Sequence, residues 1–261
     1  MPIAVATLTA MAITIEFAGR VVLVTGGTKG VGRGIAQRFA DAGATVVVCA
    51  RRPVADLPNG WQFHAADLRD GAAAAEMVDA VVDANGRVDV LVNNAGGSPP
   101  VDTATASAAV TNKLVQLNLM AAIWCSQQAN HHMQQQQDGG VIVNISSVCA
   151  SRPSPTVAAY GAAKAGLNNY TKTTALEWAP KVRVNSVSAG MIRTEQSHLF
   201  YGDDAGIAAV GATVPLGRIA ETSEIGDVCV FLASPLASYV SGADVLVHGG
   251  GERPPFLDAQ S

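Results

Sequence analysis

Seven short runs rich in valine, isoleucine and leucine constrain this 261-residue chain more than any other feature: Val21–Val24, Thr45–Cys49, Trp61–Ala65, Val88–Val92, Val141–Ile145, Val182–Val187 and Asp244–Val247. Most are apolar at consecutive rather than alternate positions, the pattern of a parallel strand covered by helices on both faces. Between them lie segments of helical length and propensity, among them Gly71–Ala84, Thr111–Gln137, Val157–Ala179 and Thr222–Ala233. Such alternation implies βαβ units and an α/β fold, a doubly wound seven-stranded parallel sheet with helices on both faces. No repeat and no linker rich in proline, serine or charge divides the chain, so residues 17–261 are read as one domain. Residues 1–16 are an N-terminal extension open to disorder, and Met11 is a second candidate start.

Charged residues make up 15% of the chain and hydrophobic ones 49%, against about 25% charged in an average globular protein. So few charges suggest a thick two-sided core and further apolar surface covered in a homo-oligomer. A net charge of −4 gives no footprint for a polyanion, so nucleic acid is not an expected partner. No run reaches the roughly 20 apolar residues of a spanning helix, so no membrane is expected, and Met1–Ile15 lacks the basic start of a signal peptide. Cys49, Cys125, Cys149 and Cys229 lie far apart without metal-ligand spacing, which favours a reducing cytoplasm and no metal. His131-His132, on a glutamine-rich helix end, is expected to be solvated rather than a ligand pair.

In doubly wound sheets ligands bind beyond the carboxyl ends of the strands. The first strand runs into Thr25-Gly26-Gly27-Thr28-Lys29-Gly30-Val31-Gly32, a glycine-dense turn that opens a helix. Positive φ, close backbone approach and free N–H groups at a helix start suit a pyrophosphate; a merely tight strand-to-helix turn is the bland alternative. The second strand ends in Cys49-Ala50-Arg51-Arg52 with no acid, and Lys29 precedes Gly30. Cations at these places pair with a 2′-phosphate, whereas an acid would accept from a 2′-hydroxyl, so NADP(H) is favoured over NAD(H).

Thr25-Gly26-x-x-x-Gly30-x-Gly32 resembles the TGxxxGxG fingerprint of the short-chain dehydrogenase/reductase family, and Asn93-Asn94-Ala95-Gly96 matches that family's NNAG motif. The resemblance implies a Rossmann-like fold and cofactor contacts from Gly26, Thr28, Lys29, Gly30, Val31 and Gly32, from Arg51, from Asp67 and Leu68 beside the adenine, and from Asn94, Ala95 and Gly96. After the sixth strand, Ala189-Gly190-Met191-Ile192-Arg193-Thr194 stands where the family normally reads Pro-Gly before its nicotinamide loop; Gly190, Ile192 and Thr194 match cofactor positions there, and Ala189 departs from the pattern.

Tyr160 and Lys164 follow the fifth strand at i and i+4 on an expected helix, which puts phenol and ammonium on one face. A nearby cation favours the phenolate and brings an ordinary phenol, pKa about 10, towards neutral acid–base work. Ser147 lies 13 residues before Tyr160, the family's spacing, and Asn118 matches its relay asparagine. The resemblance therefore implies Asn118, Ser147, Tyr160 and Lys164 as catalytic, with Tyr160 and Lys164 also touching the cofactor, and reversible hydride transfer between nicotinamide and a carbonyl or secondary alcohol.

Residues 194–214 are expected to form an apolar substrate lid, and Cys149–Val157 a second wall. A 3-oxoacyl carrier-protein reductase is an alternative, weakened because Gln134–Gln137, Asp138 and Gly139 stand where a docking arginine is usual, with Lys181 left as a contact. A catalytically silent NADP-binding regulator is a rival from another class. By the family's habit the oligomer is a homotetramer, or a homodimer, through Thr111–Gln137, Val157–Ala179 and Thr222–Val247.

Overall fold

The computed structural model describes residues 14–252 together with Pro254 and Phe256. The extension and the second candidate start, up to residue 13, lie outside the described residues. Thr14–Glu16 are irregular, and Ile15 packs half-buried against the core.

Strands β1 (Val21–Thr25), β2 (Thr45–Ala50), β3 (Gln62–Ala65), β4 (Val90–Asn93), β5 (Gly140–Ser147) and β6 (Val182–Ala189) are connected by helices α1 (Gly30–Asp41), α2 (Gly71–Asn85), α3 (Ala108–Val115), α4 (Ala121–Gln135) and α5 (Ala158–Glu177), except that β2 leads to β3 without a helix and α3 and α4 both lie between β4 and β5. A small parallel pair, β7 (Ile192–Arg193) and β8 (Ala220–Glu221), brackets α6 (His198–Tyr201) and α7 (Asp204–Ala212); α8 (Thr222–Ala233) and β9 (Asp244–Val247) complete the fold. The main sheet is parallel throughout, in the order β3-β2-β1-β4-β5-β6-β9, so the chain adds strands outward on one side of β1 and then, from β4, on the other. That switch puts the crevice of a doubly wound sheet beyond Thr25 and Asn93.

Burial on both faces explains the consecutive apolar residues. Val22 and Val24 pack with Ile35 and Phe39 of α1 and Ile225 and Leu232 of α8. Val21 and Leu23 face the other way, against a cluster holding Met77 and Val81 of α2 and Cys125 and Met133 of α4. Fully burying each such side chain stabilises the fold by about 1.5–3 kcal/mol. Local signals fix the helix ends: Asp70 caps α2 by accepting from Ala72 and Ala73, Gly86 ends it at φ +76°, and Glu221 and Glu224 form a capping box on α8.

The structure departs from the sequence reading in several places. The single helix expected over Thr111–Gln137 is two helices joined by a π turn, Gln116–Met120, that carries Asn118. Ser146 and Ser147, expected just after the fifth strand, are its last two residues. The pair β7–β8 has no counterpart among the seven runs, because two-residue strands leave no periodicity to read. His132 is not simply solvated: it bonds Asp79 at 2.6 Å and so ties α4 to α2.

Candidate active site

The start of α1 lies where the switch in strand order opens the crevice. Lys29 precedes the helix with extended backbone and no side-chain cap, and Gly30 takes φ +54°. At Gly32 even a methyl group is excluded, since a Cβ would sit 2.4 Å from both the Asn94 amide nitrogen and the Gly26 carbonyl. Thr28 is buried, Lys29 is exposed, and Val31 packs half-buried on the core beneath the turn.

Asn94 staples the end of β4 to the end of β1. Its side-chain amide donates to the carbonyls of Thr25 at 2.9 Å and Gly26 at 3.3 Å, while the N–H groups of Asn94 and Ala95 donate to Thr25 Oγ1 at 2.9 and 3.0 Å. Asn93 points into the protein and donates to Ser126 and Asn144, each at 2.8 Å; Asn144 in turn donates to Thr171. This buried polar chain locks β4, β5, α4 and α5 beneath the crevice.

On the β2–β3 side Arg51, Arg52, Asp67 and Arg69 line a pocket of about 420 Å³. Arg69 was not singled out in the sequence, where only the spacing Asp67-x-Arg69 could have marked it. Its Nε donates to Asp67 Oδ1 at 2.9 Å, and these hydrogen bonds hold the Asp67 carboxyl down at about 2. Leu68 turns its side chain into the core, so only its main chain faces outward chemistry.

At the end of β5 the Ser147 hydroxyl accepts from Cys149 N at 3.2 Å. Tyr160, in the first turn of α5, faces it, and Lys164 follows one turn later with Nζ 5.7 Å from the phenol ring centroid. Lys164 is 3% exposed and donates from Nζ to the Ile145 carbonyl at 2.8 Å. Burial moves both groups against their charged forms: Lys164 falls to about 8, and Tyr160 rises above its ordinary range, opposed by the Ser147 hydroxyl. Desolvation is the largest cause of the rise at Tyr160, and the Ser147 hydrogen bond acts against it. At neutral pH the pair is a phenol beside an ammonium.

The π turn gives Asn118 its place. Its Oδ1 accepts from Gly97 N at 2.7 Å, and its Nδ2 donates to the carbonyls of Gly97 and Leu114, each at 2.9 Å. A Cβ on Gly96 would lie 2.6 Å from Asn118 Oδ1 and 3.3 Å from Lys164 Nζ, so the bare Gly96 keeps that corner open. Opposite, Gly190 bonds the Val247 carbonyl, Ile192 packs half-buried in β7, and the Thr194 methyl lies 3.7 Å from where a Cβ on Gly30 would stand. The loop after β6 thus closes over the glycine turn.

The segment Cys149–Val157 and residues 194–214 follow β5 and β6 on this side of the molecule. Thr156 sits at φ +67°, a strained choice for a β-branched residue, while its carbonyl accepts from Val101 N at 2.7 Å. Arg152 pairs with Glu252, joining Cys149–Val157 to the C-terminal segment. Leu199 and Phe200 on α6 and Leu216 after α7 are exposed.

A helix start that its own N-cap residue leaves uncapped, a glycine cradle that a side chain would fill, a cationic pocket one strand away and a half-buried Tyr160 beside a buried Lys164 fit a nicotinamide dinucleotide, and together define an oxidoreductase of Rossmann type. The comparisons give the family. Residues 26–252 match a family model described as enoyl-(acyl carrier protein) reductase. A 3α-hydroxysteroid dehydrogenase of Mediterraneibacter gnavus is 35% identical over 246 residues, covering 88% of this chain and 96% of that one. Among solved structures, the ligand-free aldohexose dehydrogenase of Thermoplasma acidophilum superposes with TM-score 0.84 at 29% identity, covering 95% of this chain and 96% of that one. The RhlG/NADP active-site complex of Pseudomonas aeruginosa superposes with TM-score 0.82 at 28% identity, covering 92% and 99%. The chain belongs to the short-chain dehydrogenase/reductase family.

Proposed function

We propose that this enzyme reduces a ketone with NADPH, and runs the reverse oxidation of the secondary alcohol, with Tyr160 as the general acid and base. The convergence of Ser147, Tyr160 and Lys164 beside Gly96 carries this reading. When bound, the nicotinamide supplies the hydride in reduction and accepts it in oxidation. The Ser147 hydroxyl donates to the substrate oxygen, where negative charge develops. The Tyr160 hydroxyl gives its proton to that oxygen, leaving a phenolate that the Lys164 ammonium stabilises. Asn118 holds the Gly96–Gly97 segment against Lys164 and keeps open the corner through which a water reprotonates the pair.

The preference for NADP(H) rests on Arg51, Arg52 and Arg69, which share a pocket with one carboxylate, Asp67, already paired with Arg69, and on exposed Lys29 at the start of α1. For the substrate, the exposed apolar lid supports a ring-bearing hydrophobic alcohol or ketone, a class that includes the hydroxysteroid named for the relative above. The carrier-protein alternative loses support because Lys181 donates to the Gln136 carbonyl at 2.6 Å.

A cytoplasmic location accords with the free cysteines, three of them buried, and no helix among the described residues is long and apolar enough to cross a membrane. A homotetramer, or a homodimer, is supported by exposed Leu176, Phe231, Tyr239 and Leu246, the last on edge strand β9. The test is a panel of cyclic and acyclic ketones assayed by NADPH and NADH oxidation. Turnover of cyclic ketones with NADPH preferred is expected; preference for NADH, or no turnover of any carbonyl, would contradict the reading.

A further inference from the structure

The backbone amide of Gly30, the first of α1, donates to the Glu195 carboxylate at 3.0 Å, although the two residues are 165 positions apart. α1 has no side-chain cap of its own, so Glu195 comes from the far side of the crevice to meet its start. The arrangement is held from below. Thr194 N donates to Ser197 Oγ at 2.9 Å, Ser197 N returns to the Thr194 carbonyl at 3.0 Å, and the Ser197 hydroxyl reaches the Ile192 carbonyl at 3.4 Å. This tight turn fixes the backbone at residue 195 and leaves its exposed side chain aimed at the helix start. Chemically, an anionic oxygen on a helix N-terminal amide is what a phosphate would also provide.

Beside the contact runs a groove of about 620 Å³ lined by Gly30, Arg33, Arg193, Thr194 and Glu195 among others. Arg193 is exposed and bonds Asp204 at 3.3 Å, and Arg33 bonds Asp56. The groove therefore offers room and two guanidinium groups to a carboxylate leaving Gly30.

We propose that Glu195 is a built-in competitor of the cofactor pyrophosphate: its carboxylate holds the Gly30 amide until dinucleotide displaces it towards Arg33 and Arg193, so that this residue sets cofactor affinity. The proposal rests on the reading of the α1 start as the pyrophosphate site. Displacement also reaches the lid, since α6 begins only three residues beyond Glu195.

The experiment is equilibrium fluorescence titration of the full-length protein and its Glu195→Gln variant with NADPH and with NADH, plus competition by adenosine 2′-monophosphate, which has no pyrophosphate. Removing the charge should lower Kd for both dinucleotides by about three- to tenfold, the range of one charge-assisted hydrogen bond at an exposed site. Added salt should shrink the gain, and adenosine 2′-monophosphate should compete equally with both proteins. Unchanged or weaker NADPH binding by the variant would overturn the proposal. So would a parallel gain for adenosine 2′-monophosphate, which would reveal a general charge effect. If the unmodified protein bound neither dinucleotide, the reading of the α1 start would fall first and the proposal with it.

Discussion

The ammonium of Lys164 lies 5.7 Å from the centroid of the Tyr160 ring and is anchored at 2.8 Å to the Ile145 carbonyl. Its burial depresses the lysine to about 8 while raising the phenol. In the reductive direction the ammonium must be charged to stabilise the phenolate, so kcat/KM should be level at neutral pH and fall as pH rises through about 8. The same shift bears on stability. Between about 8 and its ordinary value in the unfolded chain, the folded lysine binds fewer protons, so its contribution to stability rises with pH across that window. Below about 8 the buried charge costs stability. Lys164→Met should therefore abolish turnover yet be at least as stable as the parent at pH 7, with the difference narrowing above pH 8. Urea denaturation at pH 7 and pH 9 measures this.

Asn118→Ala removes both hydrogen bonds to the main chain of exposed Gly97 and the one to the Leu114 carbonyl. A loss of about 1–2 kcal/mol in unfolding free energy is expected, together with a fall in kcat larger than any change in cofactor Kd. Denaturant melts and NADPH titration of the variant check both parts.

Arg51→Ala removes one of the three guanidinium groups facing the β2–β3 pocket. The Kd for NADPH should rise about tenfold, the scale of a lost charge-assisted contact, while that for NADH stays within about twofold. Equal weakening of both would place Arg51 in general binding rather than in discrimination.

Leu246 is half-exposed on edge strand β9, with Phe231 and Tyr239 exposed nearby in sequence. Leu246→Arg should dissociate the proposed oligomer, which sedimentation would register as a shift to monomer. An unmodified protein that sediments as a stable monomer would refute that interface.

The sheet was legible because burial on both faces writes itself as consecutive apolar residues: Val21 to Val24 alternate between two cores. Ser147, Tyr160 and Lys164 stand out in the sequence because their spacing resembles the family's, and the structure puts Ser147 at the end of β5 and the other two on successive turns of α5. The π turn at Asn118 was not legible, since Gln116–Met120 has the composition of an ordinary helix and the Asn118 bonds to Gly97 join residues 21 positions apart. Arg69 and Glu195 escaped for a related reason: Arg69 gains meaning from the pocket it shares with Arg51, and Glu195 from contact with a residue 165 positions away. The opposed shifts of Tyr160 and Lys164 depend on how deeply each is desolvated, which spacing does not encode.

The central claim is that the Tyr160 hydroxyl moves the proton. Tyr160→Phe deletes that single oxygen and keeps the ring, so NADPH Kd by fluorescence titration should stay within about twofold. Ketone-dependent NADPH oxidation should fall by about a hundredfold to ten-thousandfold, the contribution of a positioned general acid. Turnover equal to that of the unmodified enzyme would contradict the account.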